Sequence, residues 1–182
     1  MESLFSRATD VRAEQVLLPS GASVVVRHLC IRLGRASPDR LPEGSLAATY
    51  TSKPLVTFHG AAMFGELAVL RWLEVDGWEG AWLDTFHARK AWREMPNKAF
   101  PIMLPPTAQA LYDRITAANG GRASGAFDVM AWRGEHFIFL EYKGPGDRPN
   151  RNASRWIEAA LSVGVSPNDL FVVEADTWSR LE

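Results

Sequence analysis

Two carboxylates and a lysine in the second half of the chain have the spacing of a cation site. Asp128 precedes one apolar run, Glu141 and Lys143 end a second, and Gly134-Glu135 joins the two runs. Glycine in first place suits a two-residue type II′ hairpin turn, and counting outward from that turn sets Asp128 opposite Glu141. Lys143 lies two residues beyond Glu141, on the same face of the strand. The sequence therefore predicts two acids and one ammonium on a single patch of a sheet.

An isolated Glu-x-Lys pair is typical of a solvated strand face. Here Phe137, Phe139 and Leu140 lie on the same strand, which favours a buried one. Like charges directly opposite one another destabilise a sheet, and burial raises the cost unless something compensates. A divalent cation is the simplest compensator, and carboxylate ligands suit Mg²⁺ or Mn²⁺. We therefore predict a metal site at this patch.

A glutamate in a preceding helix is a candidate third acid. Helical periodicity from about residue 61 to 75 sets Glu66 three residues after Met63 and four before Leu70, within the apolar stripe. Such a residue faces the sheet. The alternative interpretation is a first-turn glutamate that complements the helix dipole.

Composition narrows the class of protein. The 182 residues are 47% hydrophobic and 23% charged, with a formal net charge of -1, so the basic signature of unselective duplex binding is missing overall. Cys30 is the only cysteine, so an intramolecular disulfide is excluded, no cysteine-based zinc site is expected, and a reducing cytoplasm fits. The four histidines have no partner at ligand spacing. No apolar run approaches the roughly 20 residues that span a bilayer, so no membrane partner is expected.

The order of elements predicts a mixed α/β sheet with helices against it. Residues 1–50 are interpreted as an N-terminal accessory arm or cap, and residues 51–182 as the main domain. Beyond the helix at 61–75, which Gly77 ends, the pattern predicts a strand over 78–86, an irregular segment over 87–106 and a helix over 107–118. The hairpin follows, then a helix over 152–163 and a strand over 169–174.

These residues together resemble the PD-(D/E)xK nuclease superfamily, in the helical glutamate, the hairpin aspartate and the motif Glu141-Tyr142-Lys143. The segment 151–161 is similar to the helix that follows this motif in the virus-type replication-repair nuclease (VRR-NUC) branch, and the resemblance covers about residues 63–174. Phe127 stands where many members have proline, and Ala153 stands where VRR-NUC members commonly have glutamine.

The resemblance implies a restriction-endonuclease-like fold, with a core of helix-strand-strand-strand-helix-strand and residues 51–182 as the nuclease-like domain. It implies Mg²⁺- or Mn²⁺-dependent hydrolysis of phosphodiester bonds in nucleic acid, with DNA favoured. Asp128, Glu141 and the Tyr142 carbonyl would hold the ion. Lys143 would orient the attacking water and stabilise charge on the phosphate. Glu66 would hold a second metal ion or a metal-bound water.

Two basic clusters are candidates for gripping the nucleic-acid backbone. The first precedes and opens the helix at 152–163, whose N-terminal dipole also favours phosphate; besides Lys143 it comprises Arg148, Arg151 and Arg155. The second lies in the irregular segment, with Trp92 interleaved for base stacking; it comprises Arg89, Lys90, Arg93 and Lys98. The alternative for both clusters is solvated surface charge.

Two other functions stay open from the sequence. One is a non-catalytic module that keeps the nuclease-like fold and binds nucleic acid or a protein partner. The other is an interaction protein in which Glu141 and Lys143 pair with other side chains. A metal titration separates them from the nuclease, because only the nuclease requires a site at Asp128 and Glu141. Both a monomer and a homodimer are compatible with the sequence.

Overall fold

The computed structural model describes residues 2–37, 50, 53–85, 90–96, 101–147 and 152–179, the last four of them by their backbone alone. Within these residues the chain forms one mixed sheet with helices against it. In chain order the elements are α1 (Glu2–Phe5), β1 (Ala8–Leu17), β2 (Ser23–Arg35), β3 (Leu55–Phe58), β4 (Ala61–Phe64), α2 (Gly65–Val75), β5 (Glu79–Asp84), β6 (Lys90–Trp92), α3 (Pro106–Ala118), β7 (Val129–Arg133), β8 (His136–Lys143), α4 (Ala153–Ser162), a 3-10 helix (Pro167–Asp169) and β9 (Leu170–Ser179).

Nine strands make up the sheet in the described part of the chain, in the order β4-β3-β2-β9-β8-β7-β5-β6, with β1 paired to β2. The C-terminal strand β9 pairs in parallel with both β2 and β8. The other strand pairs are antiparallel. The predicted mixed α/β class is therefore confirmed.

Helices cover both faces of this sheet, because the strands are apolar on both sides. Val129 and Leu140, which face each other across β7 and β8, belong to the core beneath α2. The next facing pair, Met130 and Phe139, belongs to the core beneath α3 and α4. The fully buried Trp156 anchors α4 there, with its ring centroid 5.2 Å from that of Phe139. Truncating such a tryptophan to alanine typically costs about 3–5 kcal/mol.

The structure differs from the predicted elements at three places. The predicted helix over 61–75 begins only at Gly65, because Ala61–Phe64 forms β4 and pairs with β3. The segment 87–106, predicted as irregular, contains β6, which pairs with β5. The last strand, β9, continues to Ser179. Strands β4 and β6 pair with the strands that precede them in sequence, and such short apolar runs do not reveal their type through periodicity. The end of β9 pairs with the sequence-distant strand β2.

The first part of the chain contributes to the central sheet. Residues 1–50 were expected to form an accessory arm or cap, yet β2 lies between β3 and β9, and its Leu29 and Ile31 are fully buried. Parallel pairing with β9, at the other end of the sequence, makes β2 a core strand. Among the described elements of residues 1–50, β1 has the exposure expected of an arm, since nearly all its side chains face solvent.

No helix among the described residues is long and apolar enough to cross a membrane.

Candidate functional site

The hairpin has the predicted register. Gly134 has a φ of 61°, as the first residue of a type II′ turn requires. Val129 pairs with Leu140, so the next position outward brings Asp128 to Glu141. At this end of the hairpin the Tyr142 backbone N–H donates to Asp128 Oδ2 at 2.9 Å, so a side chain supplies the hydrogen bond in place of the backbone of the facing strand. The two hairpin acids are therefore neighbours at the end of the β7–β8 ladder.

The helical glutamate is buried beside them. Glu66 lies in the first turn of α2 and is only 3% exposed. Its Oε1 accepts a hydrogen bond from Lys53 Nζ at 2.5 Å. Its Oε2 is buried and has no hydrogen-bond partner among the described residues. A buried carboxylate oxygen without a donor is costly, and a bound cation would remove that cost.

The electrostatics of Asp128 show that the three acids interact. Burial raises the pKa of the Asp128 carboxyl well above its ordinary value, and the negative charges of Glu141 and Glu66 raise it further. The Lys53 ammonium and the Tyr142 N–H oppose this shift without cancelling it. The acids of α2 and of the hairpin thus lie close enough to disfavour the charged form of Asp128, and an additional cation would favour it again.

Lys143 lies at the same patch and is already paired. Its Nζ donates to Glu141 Oε1 at 2.5 Å, and its side chain is about one-fifth exposed. Asp128 thus interacts with both Glu66 and Glu141, and Lys143 joins this set through Glu141. The catalytic role of the four residues stays a prediction. The structure leaves Lys143 with access to the groove described below.

Two site residues were missed by the sequence analysis, Lys53 and Asp84. Burial by itself lowers the pKa of Lys53, but the carboxylates of Glu66, Asp128 and Asp84 raise it above its ordinary value. Its ammonium also lies 4.9 Å from the Trp82 ring centroid. Asp84 ends β5, is buried, and accepts the Tyr50 hydroxyl.

Only one of these two gave a sequence signal. Asp84 ends an apolar strand, and an acid at that position is a recognisable candidate for a site at the edge of a sheet. Lys53 stands between a serine and a proline in a segment without hydrophobic periodicity, so its approach to the acids depends on the tertiary fold alone.

Tyr142 fixes the distance between α2 and β8. Its ring is buried against the start of α2, on the opposite face of the strand from Glu141. Burial, followed by the charges of Glu66, Asp147 and Asp128, raises the pKa of its hydroxyl. The Tyr142 backbone carbonyl as a metal ligand stays a prediction.

We expect Gly65→Ala to destabilise the protein, although alanine is the better helix former by about 1 kcal/mol. A Cβ at position 65 would lie 2.1 Å from Cζ of Tyr142. The helix start or the ring must move, and overpacking of this kind typically costs about 1–3 kcal/mol. Urea unfolding measures the change in the free energy of unfolding. A stabilised variant would contradict the close contact between α2 and β8.

A groove of about 250 Å³ opens beside the hairpin acids on the α4 face. Glu141 and Lys143 lie on its floor, with Ser154 and Ile157 of α4 at one side and His28 and Glu174 among the strand residues. The carboxylates of Glu14, Asp147 and Glu174 give its lining an excess of acid. An acidic groove attracts cations. It attracts a polyanion such as nucleic acid only when its carboxylates are neutralised.

The role of the predicted basic clusters in nucleic-acid binding stays a prediction. Arg155 is exposed on α4 between the groove residue Ser154 and the buried Trp156. Arg93 is half-exposed and donates to Glu74 Oε1 at 2.8 Å, whereas Lys90 is exposed on β6. Other predicted members lie outside the described residues, namely Arg89, Lys98, Arg148 and Arg151.

The stacking prediction for Trp92 is wrong. Its side chain is only 5% exposed and belongs to the core beneath α2, because β6 adds to the edge of the sheet. The Lys90 ammonium lies 5.9 Å from its ring centroid. A base has no free indole face to stack on at this position.

Fold and site together define a mixed α/β protein with a carboxylate cluster where a helix start meets the end of a hairpin ladder. Comparison with protein-family models, with curated proteins and with solved structures gave no match to the chain.

Proposed function

We propose that this protein is a metal-dependent nuclease that hydrolyses phosphodiester bonds in nucleic acid, with DNA as the favoured substrate. The proposal includes a PD-(D/E)xK active site of the VRR-NUC type on a restriction-endonuclease-like core. One observation carries it: Glu66 of α2, Asp128 just before β7 and Glu141 of β8 lie close enough together that the two glutamates add to the effect of burial in raising the pKa of Asp128. A protein without a cation to bind has little reason to gather three acids in apolar surroundings.

The donor set fits Mg²⁺ or Mn²⁺. Its atoms are carboxylate oxygens, which these hard cations prefer, and Glu66 Oε2 lacks a donor among the described residues. In this proposal Asp128, Glu141 and the Tyr142 carbonyl hold the ion, and Glu66 holds a second ion or an ordered water. When bound, the metal polarises a phosphoryl oxygen and lowers the pKa of a bound water.

The chain's own residues prepare the reaction. The Tyr142 N–H fixes the orientation of Asp128 through the 2.9 Å hydrogen bond. Lys53 holds Glu66 in the same way from the other side. Lys143, which Glu141 holds in the lining of the groove, is the cation available to orient a water and to stabilise charge that develops on the phosphate.

A specific observation favours a second candidate, an interaction or binding module without catalysis. Two ion pairs, Lys143 with Glu141 and Lys53 with Glu66, compensate part of the acidic charge within the protein. If the acids serve only to form these two ion pairs, they do not bind a metal ion. The two candidates therefore differ in divalent-cation binding.

The test is calorimetric titration of Mn²⁺ and Mg²⁺ into chelator-treated protein, followed by hydrolysis assays on duplex DNA, single-stranded DNA and RNA. We expect binding and metal-dependent cleavage in the wild type, and loss of both in Asp128→Asn. Asp113→Asn, which removes an exposed acid on α3, is the matched control and should bind like the wild type. Equal titrations for all three proteins would exclude the nuclease.

We expect Arg155→Ala to weaken nucleic-acid binding without changing Mn²⁺ binding. Loss of one phosphate contact should reduce the slope of log affinity against log salt by about one unit. Binding is measured between low and moderate salt in Ca²⁺, an oxygen-seeking cation that serves here as a non-hydrolysing probe. Arg114→Ala, an exposed arginine on α3, is the control. Superimposable lines for wild type and Arg155→Ala would show that Arg155 is a solvated charge only.

A further inference from the structure

A second cluster of metal-ligating side chains lies on β2 and β9, built from residues other than the carboxylates assigned above. His28 and Cys30 are two residues apart on β2, hence on the same face of that strand. Parallel pairing of β2 with β9 makes Glu174 the direct neighbour of Cys30. One ligand atom from each of the three side chains lies within 4.8 Å of the others. His28 is 8% exposed and Cys30 is 2% exposed.

Both ring nitrogens of His28 face carboxylates, so one of them needs a cation beside it. Its Nδ1 lies 2.9 Å from Glu14 Oε2, and its Nε2 lies 2.8 Å from Glu174 Oε2. A neutral imidazole has one N–H, so it can donate to only one of these carboxylates. If that N–H is on Nδ1 and bonds Glu14, the Nε2 lone pair faces a carboxylate oxygen. Either a proton or a metal ion between Nε2 and Glu174 makes this contact favourable.

The side chain of Arg12 already supplies positive charge beside His28 and Glu174. Arg12 Nη2 lies 2.8 Å from Glu174 Oε2 and 3.4 Å from His28 Nε2. Its side chain is 52% exposed, so it can leave towards solvent when another cation arrives. On the far side of the ring, the Glu14 carboxylate on Nδ1 is the partner that metal-bound histidines commonly have, since it fixes the tautomer and makes the ligand more basic.

We infer that His28 Nε2, Cys30 Sγ and a Glu174 carboxylate oxygen bind one transition-metal ion of the Zn²⁺ class. A thiolate and an imidazole select such ions over Mg²⁺, which prefers oxygen ligands alone. Zinc bonds of about 2.0–2.3 Å put ligand atoms roughly 3.5 Å apart. His28 Nε2 and Glu174 Oε2, which are 2.8 Å apart, would therefore open slightly, and the most distant pair, within 4.8 Å, would close by up to about 1 Å. We assign the fourth coordination position to the groove side, because His28 and Glu174 both line the groove.

The ion would fasten the exposed strand β1 to the core of the sheet. Its ligands come from β2 and β9, and Glu14 of β1 supports His28 from behind. The three ligands belong to neither the hairpin nor α2, so this site stands independently of the proposed nuclease. The sequence analysis found no ligand partner for His28, because Glu174 comes close to it and to Cys30 through strand pairing alone.

The experiment uses Co²⁺ as a spectroscopic substitute for Zn²⁺. The full chain is treated with chelator and reductant, then titrated with Co²⁺ while absorbance is followed. A thiolate-to-cobalt charge-transfer band with a one-to-one end point is expected, and Zn²⁺ should bleach it. Excess Mg²⁺ should not. The apparent affinity should rise with pH, because binding displaces protons from Cys30 and His28.

Variants separate the ligands from the nuclease acids. Cys30→Ser should remove the charge-transfer band, and Glu174→Gln should weaken Co²⁺ binding even if Cys30→Ser fails to fold. Glu14→Gln should weaken binding by about 10–100-fold, the usual cost of losing a hydrogen-bond partner behind a histidine ligand. Asp113→Asn, an exposed acid on α3, is the control for the loss of a carboxylate. Asp128→Asn should give the same thiolate-to-cobalt band as the wild type, which keeps the two sites distinguishable.

Any one of three results would overturn the site. The first is that the wild type gives no thiolate-to-cobalt band at millimolar Co²⁺. The others are that the band persists in Cys30→Ser, or that Glu174→Gln binds Co²⁺ with unchanged affinity. Any of these would mean that a proton and Arg12 supply all the positive charge between His28 and Glu174. The cluster would then be an ionic contact between β1, β2 and β9 without a metal.

Discussion

Replacing Glu141 by glutamine is expected to abolish metal-dependent hydrolysis while the protein stays folded. The substitution removes a metal-binding oxygen, and with it the charge that holds Lys143 at the groove. A single preorganised electrostatic contact to a transition state is worth on the order of 10²- to 10³-fold in rate, and here two are affected. In the metal-free protein the change also relieves the repulsion that raises the pKa of Asp128.

The measurement pairs a rate with a thermal melt. Initial rates are compared in saturating Mg²⁺ or Mn²⁺, and melting temperatures are compared in chelator. Glu79→Gln, an exposed acid on β5, should match the wild type in both assays. An unchanged rate would remove Glu141 from the site. A metal-free melting temperature several degrees below that of the wild type would identify Glu141 as a structural partner of Lys143.

Asp128→Asn is expected to stabilise the metal-free protein, increasingly so as pH rises. Burial and the neighbouring acids raise the folded-state pKa of Asp128 above its ordinary value of 3.8. The stability linked to its protonated form is therefore fully present below that value and is lost as pH rises through the raised pKa. Asparagine keeps an oxygen for the Tyr142 N–H and carries no charge, so the variant escapes this loss.

Thermal melts between pH 4 and neutrality, with and without Mg²⁺, measure the effect. Each kcal/mol gained should raise the melting temperature by about 2–4 °C in a chain of this size. Saturating Mg²⁺ should reverse the ranking at neutral pH, because it stabilises only the protein that retains the site. Asp113→Asn is the control for loss of an exposed acid. Parallel pH profiles for wild type and Asp128→Asn would show that Asp128 has ordinary solvation.

The relative positions of the polar side chains on the hairpin could be predicted from the sequence, because they depend on local backbone geometry. A glycine-first turn fixes the register, alternation fixes the faces, and together they determine that Asp128 meets Glu141 with Lys143 alongside. Glu66 was also within reach, since helical periodicity indicated the face on which it lies. These inferences use contacts within one element or between neighbours joined by a tight turn.

The long-range contacts were decided by tertiary structure. No local pattern indicates that Lys53 compensates Glu66, or that β2 enters the core by pairing in parallel with β9. The same pairing brings Glu174 to His28 and Cys30. The sequence alone thus determined which acids the hairpin presents, because backbone geometry repeats over a few residues. Which cations and strands surround those acids was decided only by the packing of distant segments, which maximises apolar burial across the whole sheet.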